Sequence, residues 1–203
     1  DAAAASGDPA FGLRTGQCVH PSQLGALGYA VLASDTLRDS LNRIHRYVRV
    51  LNDQSDFDVF ERDDMLLSRI RVSGSSRNLA IRDDVQLSVL VAMCRFNAGP
   101  GFTPVHVTMQ RPAPDDSSPW EDFYRCPVRF GTGHNEMAIT LADADTLLPS
   151  ANQVLAEMND RIVIQRLAQL DRDNIPARVR AAIMDQLPSG TISDESIAAA
   201  LHM

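Results

Sequence analysis

Five histidines and three cysteines are the side chains best suited to bind a metal or attack a substrate, and their spacing favours neither role. His20, His45, His106, His134 and His202 have no second histidine or cysteine at the spacing of a metal site. The sequence therefore predicts no metal centre.

A nucleophile, a base and an orienting acid can be drawn from Cys126, His134 and Asp143. Cys126 precedes a proline at the expected end of a helix, however, and nothing beside it in the sequence would activate a thiol. Together with Cys18 and Cys94 it makes an odd set without CxxC spacing, which argues against a disulfide framework and a zinc knuckle. We expect no catalytic residue and no cofactor. A small enzyme with a pocket carboxylate or a cysteine nucleophile is the alternative.

A second group of polar residues is suited to hold a small molecule. Residues 45–47 lie among arginines and interrupt an amphipathic helical pattern. A solvated basic face is the ordinary interpretation of such a pattern. The more specific interpretation is that an arginine or histidine side chain enters a cavity and binds an acidic small molecule, since a buried cation needs an anionic partner. The predicted pocket residues are His45, Arg46, Tyr47, His106, Gln110 and Tyr124.

The apolar pattern predicts the elements that would position these residues. Helices are expected over 21–33, 34–51, 84–96, 118–125, 151–170 and 177–187, and strands over 57–61, 65–72, 105–109, 128–130 and 137–141. Ser34 and Ser118 are expected to cap their helices. The glycine-rich loop 131–135 is expected to join the last two strands as a hairpin. This order predicts an α+β fold: a small mixed or antiparallel sheet packed with several helices, followed by a helical dimerisation and linker segment.

The helix expected from residue 151 has more apolar surface than a single packing face requires. Burial in the core is one explanation, and a two-fold interface between two copies of the chain is the other. The residues predicted for that interface are Val154, Leu155, Met158, Ile162 and Leu167.

The composition restricts the setting of the protein. The 203 residues carry a formal charge of −7, so this chain alone is expected to bind nucleic acid poorly. It contains no run of eighteen apolar residues, and its first residues lack the basic start and apolar middle of a secretory signal. These features predict a cytoplasmic protein.

Five segments resemble, in order, the N-terminal arabinose-binding-like effector domain of AraC/XylS-type bacterial transcription regulators. They are FGLRTG at 11–16, the helix pair at 25–51, FTPVHVTMQRPAP at 102–114, CPVRFG at 126–131 and LPSAN at 148–152. The resemblance covers nearly the whole chain, and it implies ligand sensing, dimerisation and control of transcription.

The resemblance also implies a division of the chain. Residues 1–170 would form the effector-binding and dimerisation domain, 171–190 a linker helix, and 191–203 the start of the first helix of a helix-turn-helix DNA-binding domain. DNA would then be bound only through parts of the parent protein beyond this chain, under the control of a small-molecule effector. A regulator that responds to a protein partner is a further alternative.

Overall fold

The computed structural model describes residues 6–52, 54–72 and 79–173, and beyond them residues 179, 183, 193 and 196–198. By its internal contacts the chain divides into two compact units, Asp1–Val163 and Ile164–Met203. The sheet and the helices that cover it belong to the first unit.

The fold combines a five-stranded mixed sheet with α-helices, which confirms the predicted α+β class. The α-helices described over their whole length are α1 (Leu13–Cys18), α2 (Gly25–Leu32), α3 (Leu37–Tyr47), α4 (Leu79–Ala98), α5 (Ser118–Tyr124), α6 (Leu141–Asp145) and α7 (Gln153–Asp173). Short 3₁₀ turns cover Pro21–Leu24 and Val48–Val50. The strands are β1 (Ser55–Arg62), β2 (Met65–Val72), β3 (His106–Thr108), β4 (Val128–Arg129) and β5 (Asn135–Thr140).

The sheet has the strand order β1-β2-β5-β3-β4, antiparallel except for the last pair. β1 and β2 form a hairpin whose turn residues, Asp63 and Asp64, both have positive φ angles, of 51° and 58°. Acidic and amide side chains tolerate this conformation better than most residues, so the two aspartates suit the turn.

The core lies on the helix-covered face of the sheet. Leu66 is paired with Ile139, and Val107 with Met137, so these four side chains point to the same side. They belong to a buried apolar cluster to which α4 contributes Leu87, Leu90, Val91 and Cys94. The nearly all-round apolar pattern of α4 is explained by this position against the sheet.

Helix α3 buries the face that its spacing predicts, with Leu37 and Leu41 fully buried. The predicted cap is wrong by two residues, because the Thr36 hydroxyl, and not that of Ser34, accepts a hydrogen bond from the Asp39 amide at 3.1 Å. Ser34 is buried and donates to the Ala30 carbonyl at 3.0 Å. Its hydroxyl therefore satisfies the end of α2 rather than the start of α3.

The predicted cap of the short helix α5 is wrong by one residue. Ser117 takes the N-cap position, and its hydroxyl donates to the Glu121 carboxylate at 2.9 Å. Ser118, the predicted cap, is instead the first helical residue.

The predicted hairpin through residues 131–135 is wrong. β3 lies between β4 and β5, pairing in parallel with Val128 and in antiparallel with Met137 through the same residue, Val107. β4 has only two residues, and so short a strand carries too little pattern to specify its neighbour.

Several predictions fall on other parts of the chain. Most of the helix predicted at 177–187 and most of the segment 191–203 lie outside the described residues. Of the last segment, residues 196–198 are helical, and the Ser196 amide donates to the Ser193 hydroxyl at 3.1 Å, as at a helix N-cap. The domain boundaries at 170 and 190 stay a prediction. Among the described helices, none has the length and apolar character needed to cross a membrane.

Candidate functional site

Helix α1 lies directly on α4 because two glycines face the contact. A Cβ atom at Gly16 would lie 2.6 Å from the Ser88 carbonyl oxygen and 2.7 Å from the Phe123 ring, and one at Gly12 would lie 2.5 Å from Cβ of Asp84. At such distances any side chain would force the packed elements to shift apart. The FGLRTG segment thus brings the backbone of α1 against α4 and α5.

A groove opens beside this contact, between α1, the C-terminal half of α4, the loop after α4 and α5. Its volume of about 680 Å³ is in the range of small-molecule sites. Most of its lining is apolar, with charged groups at a few positions. Its principal lining residues are Gly16, Ala92, Arg95, Phe96, Phe123 and Arg125.

Two phenylalanines form apolar walls of the groove. Phe96 is 45% exposed, and its ring meets the edge of the His20 ring with centroids 5.3 Å apart. The Phe123 ring lies against the Tyr124 ring, at 5.1 Å, and 5.2 Å from the Arg95 guanidinium. An exposed aromatic ring held by neighbours offers a surface on which an apolar ligand can lie.

Arg95 and Arg125 converge at one end of the groove. Arg95 donates to the carbonyl oxygens of Phe123 at 2.8 Å and Phe102 at 3.3 Å, and Arg125 donates to the same Phe102 oxygen at 3.0 Å. Arg125 also donates to the Pro100 carbonyl at 2.8 Å. The Arg95 and Arg125 guanidinium groups therefore share the Phe102 carbonyl oxygen as a hydrogen-bond acceptor.

The charges of these two arginines are not balanced by an acidic partner. Among the described residues, the hydrogen bonds of both guanidinium groups go to backbone carbonyls, and neither pairs with a carboxylate. Burial, followed by the repulsion of Arg125, lowers the pKa of Arg95. An anion placed between them would relieve this repulsion.

The backbone at Arg125 is also unusual. Arg125 ends α5 with φ 59° and ψ 32°, in the left-handed region. Glycine is the usual residue at such a helix end, and a residue with a Cβ atom costs roughly 1–2 kcal/mol there. The hydrogen bonds of the Arg125 side chain to the Pro100 and Phe102 carbonyls offset part of this strain.

A second arginine site lies near the start of α4. Its arginine, Arg111, is buried and is paired with an acid, unlike Arg95 and Arg125. Asp84 is fully buried and accepts hydrogen bonds from Trp120 Nε1, at 2.7 Å, and from Arg111. The Arg111 guanidinium lies 4.3 Å from the centroid of the Trp120 ring. Burial raises the pKa of Asp84, while Trp120 and Arg111 act in the opposite direction. This site is closed, paired and structural.

The sheet face opposite the core carries a third charged group. Glu136 is 1% exposed and is paired with Arg69 at 2.7 Å and Arg62 at 3.3 Å, with His134 at 3.6 Å. Here the acid is central and the arginines surround it, so the charge of the carboxylate is already neutralised.

Three of the predicted pocket residues lie together on α3. His45 and Arg46 are exposed and border a shallow polar depression with Asp39, Asn42 and Arg43. His45 hydrogen-bonds the Phe57 carbonyl at the edge strand β1. Tyr47 is buried, with the Arg46 guanidinium 5.7 Å from its ring centroid.

The other three lie elsewhere. His106 lies on β3, three strands away from β1, where burial and Arg129 lower its pKa. Gln110 donates to the Gly133 carbonyl at 2.9 Å at the sheet end. Tyr124 is fully buried under the groove, and its hydroxyl has no hydrogen-bond partner among the described residues. Burial raises its pKa. The six residues are thus not brought into one site, and their role in binding stays a prediction.

The residues of the catalytic alternative are also separated. His134 and Asp143 belong to opposite ends of β5, where His134 faces Glu136 and Asp143 accepts from the Thr140 hydroxyl at 2.7 Å. Burial raises the pKa of the Cys126 thiol to about 11. The three residues do not form a nucleophile, base and acid arrangement. In the described part of the chain, no group of three or more potential metal ligands occurs.

Helix α7 presents the predicted apolar stripe to solvent. Val154 is 70% exposed, Met158 57%, Ile162 54% and Leu155 43%, while Leu167 is half-buried. Core burial therefore does not explain the first four. The interface itself stays a prediction.

The start of α7 is fixed by the LPSAN segment. The Leu148 and Asn152 amides donate to the carbonyls of Asp35 and Ala33 at 2.8 and 2.9 Å. The Ser150 hydroxyl donates to Leu32 at 2.7 Å, and the Asn152 side chain caps α7. The segment thus joins α7 to the corner between α2 and α3.

Arg95, Arg125, Phe96 and Phe123 were not among the predicted site residues. The usable signals were weak: a single cation in an apolar helical pattern, and an arginine at a helix end where glycine is common. Their convergence depends on the loop 99–102, which the pattern does not place.

A sequence-family model described as the arabinose-binding domain of AraC transcription regulators, N-terminal, matches residues 1–148. No curated protein matches the chain. A solved structure of the transcriptional regulator CdpR from Pseudomonas aeruginosa is similar, with a TM-score of 0.65 over 96% of this chain and 16% identity. The chain spans 64% of the length of that protein. At this identity the likeness shows a shared fold.

Proposed function

The chain belongs to the N-terminal arabinose-binding domains of AraC-type transcription regulators, and we propose that its groove between α1, α4 and α5 binds the small-molecule effector. It is a ligand-sensing regulatory domain. In this proposal two copies associate through the α7 stripe, and DNA is bound by a part of the parent protein beyond this chain.

The observation that carries the binding site is the combination of an apolar groove and two arginines without an acidic partner. The other depressions that border described residues include a polar one on α3 and one lined by α6 and the segment 146–149. The groove has the larger volume, about 680 Å³ against about 370 Å³ for each of these. It also has the aromatic walls that small-molecule sites commonly use.

A continuous set of hydrogen bonds supports coupling from the groove to α7. Asn97 follows the groove residues 95 and 96 on α4, and its side chain donates to the Val31 carbonyl at 2.9 Å and the Ser40 hydroxyl at 3.0 Å. Asn97 thereby joins α4 to both α2 and α3. A ligand that shifts the end of α4 would act on the corner between them.

The same corner holds α7. Arg43 of α3 donates to the Ser34 hydroxyl at 2.9 Å and to the Asp160 carboxylate of α7 at 3.2 Å. With the LPSAN contacts, this fixes the first turns of α7 to the corner. We propose that effector binding changes the presentation of α7, because a ligand shifts an equilibrium only by binding one arrangement better than the other.

The proposed occupant of the α7 stripe is a second copy of this chain. The stripe is continuous over two turns, while Ala156 and Val163 on the opposite side of the helix are buried. The helix is therefore held by its domain on one side and has an apolar surface on the other, as a two-fold interface requires.

The interface is tested by Met158→Glu and Val154→Glu. Both side chains are largely exposed in one copy, so the variants should fold and should be monomers by analytical ultracentrifugation. Leu147→Glu is the matched control, since Leu147 is 72% exposed and lies outside α7. A dimer unaffected by all three variants contradicts this interface, and a wild-type monomer contradicts the dimer.

The sensing function is tested on the full-length regulator with its operator DNA. Compounds that bind the groove should change the affinity for DNA or the preferred spacing of half-sites. A tight groove ligand that changes neither would contradict effector control. Mass spectrometry of the purified protein then separates a regulator with a bound small molecule from one that responds to a protein partner.

A further inference from the structure

Resting on the proposed effector site, we infer that the groove binds a small organic carboxylate with an apolar body. Its carboxylate lies between Arg95 and Arg125, and its body lies on Phe96 and Phe123. The ligand class follows from charge, donor geometry and the walls of the groove.

Several arginines of the first unit have acidic partners. Arg38 is paired with Glu61 and Asp145, Arg43 with Asp160, Arg69 with Glu136 and Arg111 with Asp84. Arg95 and Arg125 are adjacent and have only neutral carbonyls as hydrogen-bond partners among the described residues. Arg95 is half-buried, as Arg38, Arg43 and Arg69 are, and lacks the carboxylate partner that those three have among the described residues, while Arg125 is exposed.

The two guanidinium groups have N–H donors that the carbonyl oxygens do not use. The carbonyl contacts use Nε and Nη2 of Arg95 and Nη2 of Arg125. The other guanidinium N–H groups, on Nη1 of Arg95 and on Nε and Nη1 of Arg125, form no hydrogen bond with the described residues and are the donors left for a ligand. A carboxylate has two oxygens that match donors from two guanidinium groups.

The charged residues that line the groove have a net positive charge. Asp122 also borders the groove, so two guanidinium groups and one carboxylate leave a single positive charge. A monoanion neutralises this charge. A neutral sugar would leave it unbalanced.

The backbone at Arg125 is left-handed and would suit glycine, yet the arginine side chain crosses to the loop 99–102 and shares the Phe102 carbonyl with Arg95. The two carbonyl bonds fix the orientation of the guanidinium group before a ligand arrives, which lowers the entropic cost of binding.

The experiment is a titration of the ¹⁵N-labelled chain, followed by NMR, with three carboxylates and their primary amides: 3-phenylpropanoate, indole-3-acetate and octanoate. L-arabinose is titrated beside them as a neutral polar compound. At least one carboxylate should bind at least about tenfold more tightly than its amide, since one charge-assisted bidentate contact accounts for a factor of that size. Its binding should shift the Arg95 and Arg125 side-chain signals.

Matched variants locate the effect. Arg125→Gln and Arg95→Gln should abolish the preference for carboxylate over amide, and Arg125→Lys should retain part of it. Arg129→Gln, which removes an exposed arginine on β4, should leave it unchanged. Phe96→Ala should weaken the carboxylate and its amide by a similar factor.

The inference is overturned if the amides bind as tightly as the carboxylates, if arabinose binds the groove more tightly than all three, if none of the panel binds in the low millimolar range, or if Arg125→Gln and Arg95→Gln both keep the preference. Its failure is distinct from failure of the proposed function. A neutral groove ligand that changes dimerisation would refute the ligand class alone, whereas a bound carboxylate without effect on dimerisation or DNA binding would refute the sensing function alone.

Discussion

Two arginine sites lie along α4 and have opposite designs. Near the start of the helix, Arg111 is buried with a buried acid, Asp84, and lies over Trp120. Near its end, Arg95 and Arg125 border an open groove and donate to carbonyls of the loop 99–102 and of α5. We interpret Arg111, whose charge is neutralised by Asp84, as a residue that stabilises the fold. Arg95 and Arg125 have no acidic partner among the described residues, and we propose that they bind an anionic ligand.

The comparison predicts that damage to the first site affects folding and that damage to the second affects binding. The largest effect is expected for Asp84→Ala, which leaves the Arg111 charge buried without its partner and Trp120 Nε1 without an acceptor. The free energy of unfolding should fall by about 3–5 kcal/mol. Urea unfolding followed by the fluorescence of Trp120, the single tryptophan, measures it.

The matched control is Asp122→Ala, an exposed aspartate that borders the groove. It should change stability by less than about 0.5 kcal/mol. Equal losses in the two variants would erase the distinction between the sites.

A smaller effect is expected where α1 meets α4. Gly16→Ala places a Cβ atom 2.6 Å from the Ser88 carbonyl oxygen, so α1 must shift, at a cost of about 1–3 kcal/mol. The shift should also weaken groove ligands, because Gly16 lines the groove. Gly133→Ala is the control, since nothing lies within 4 Å of its added methyl group. A neutral Gly16→Ala would mean that the close approach is not required.

Arg125→Gly should separate stability from binding. Relief of the left-handed backbone gains roughly 1–2 kcal/mol and the loss of two carbonyl hydrogen bonds offsets it, so the net change should stay within about 1 kcal/mol. The preference for a carboxylate over its amide should nevertheless disappear. Thermal unfolding and the NMR titration give the two values. A strongly destabilised variant would assign Arg125 to the fold instead.

The smallest effect concerns the thiols of Cys94, on α4, and Cys126, which follows α5. Burial raises the pKa of Cys94 to about 12 and of Cys126 to about 11, while the Arg95 charge acts in the opposite direction. At pH 8 only about one thousandth of Cys126 is thiolate, and its alkylation rate should rise about tenfold per pH unit up to pH 10.

Mass spectrometry of iodoacetamide-treated protein should therefore find exposed Cys18 modified first, Cys126 later and buried Cys94 only after unfolding. Modification of Cys126 faster than Cys18 at pH 7 would indicate an activated thiol. That result would support the alternative that the protein is an enzyme with a cysteine nucleophile.

The sequence pattern predicts the parts of the fold that depend on local periodicity. Leu37 and Leu41 are buried as their spacing on α3 requires, because a helix with one apolar stripe has one way to cover it. The neighbour of β4 was predicted wrongly because pairing across a sheet depends on segments distant in sequence.

The candidate site was harder to predict for the same reason. His45 lies on α3 beside the edge strand β1 and His106 lies on β3, three strands away, while Arg95 and Arg125 meet at the Phe102 carbonyl of the loop after α4. The resemblance of five segments identified the family but did not identify the residues of the groove. Two of those segments have structural reasons in this fold: close packing at Gly12 and Gly16, and anchoring of α7 by residues 148–152.

The central claim is that occupancy of the groove changes association through α7. The direct measurement is the dimer dissociation constant of this chain by sedimentation equilibrium, with and without a saturating amount of the tightest-binding carboxylate of the panel. We predict a change of about fivefold or more in the wild type, and none in Asn97→Ala with the carboxylate still bound. An unchanged dissociation constant in the saturated wild-type protein would contradict the account.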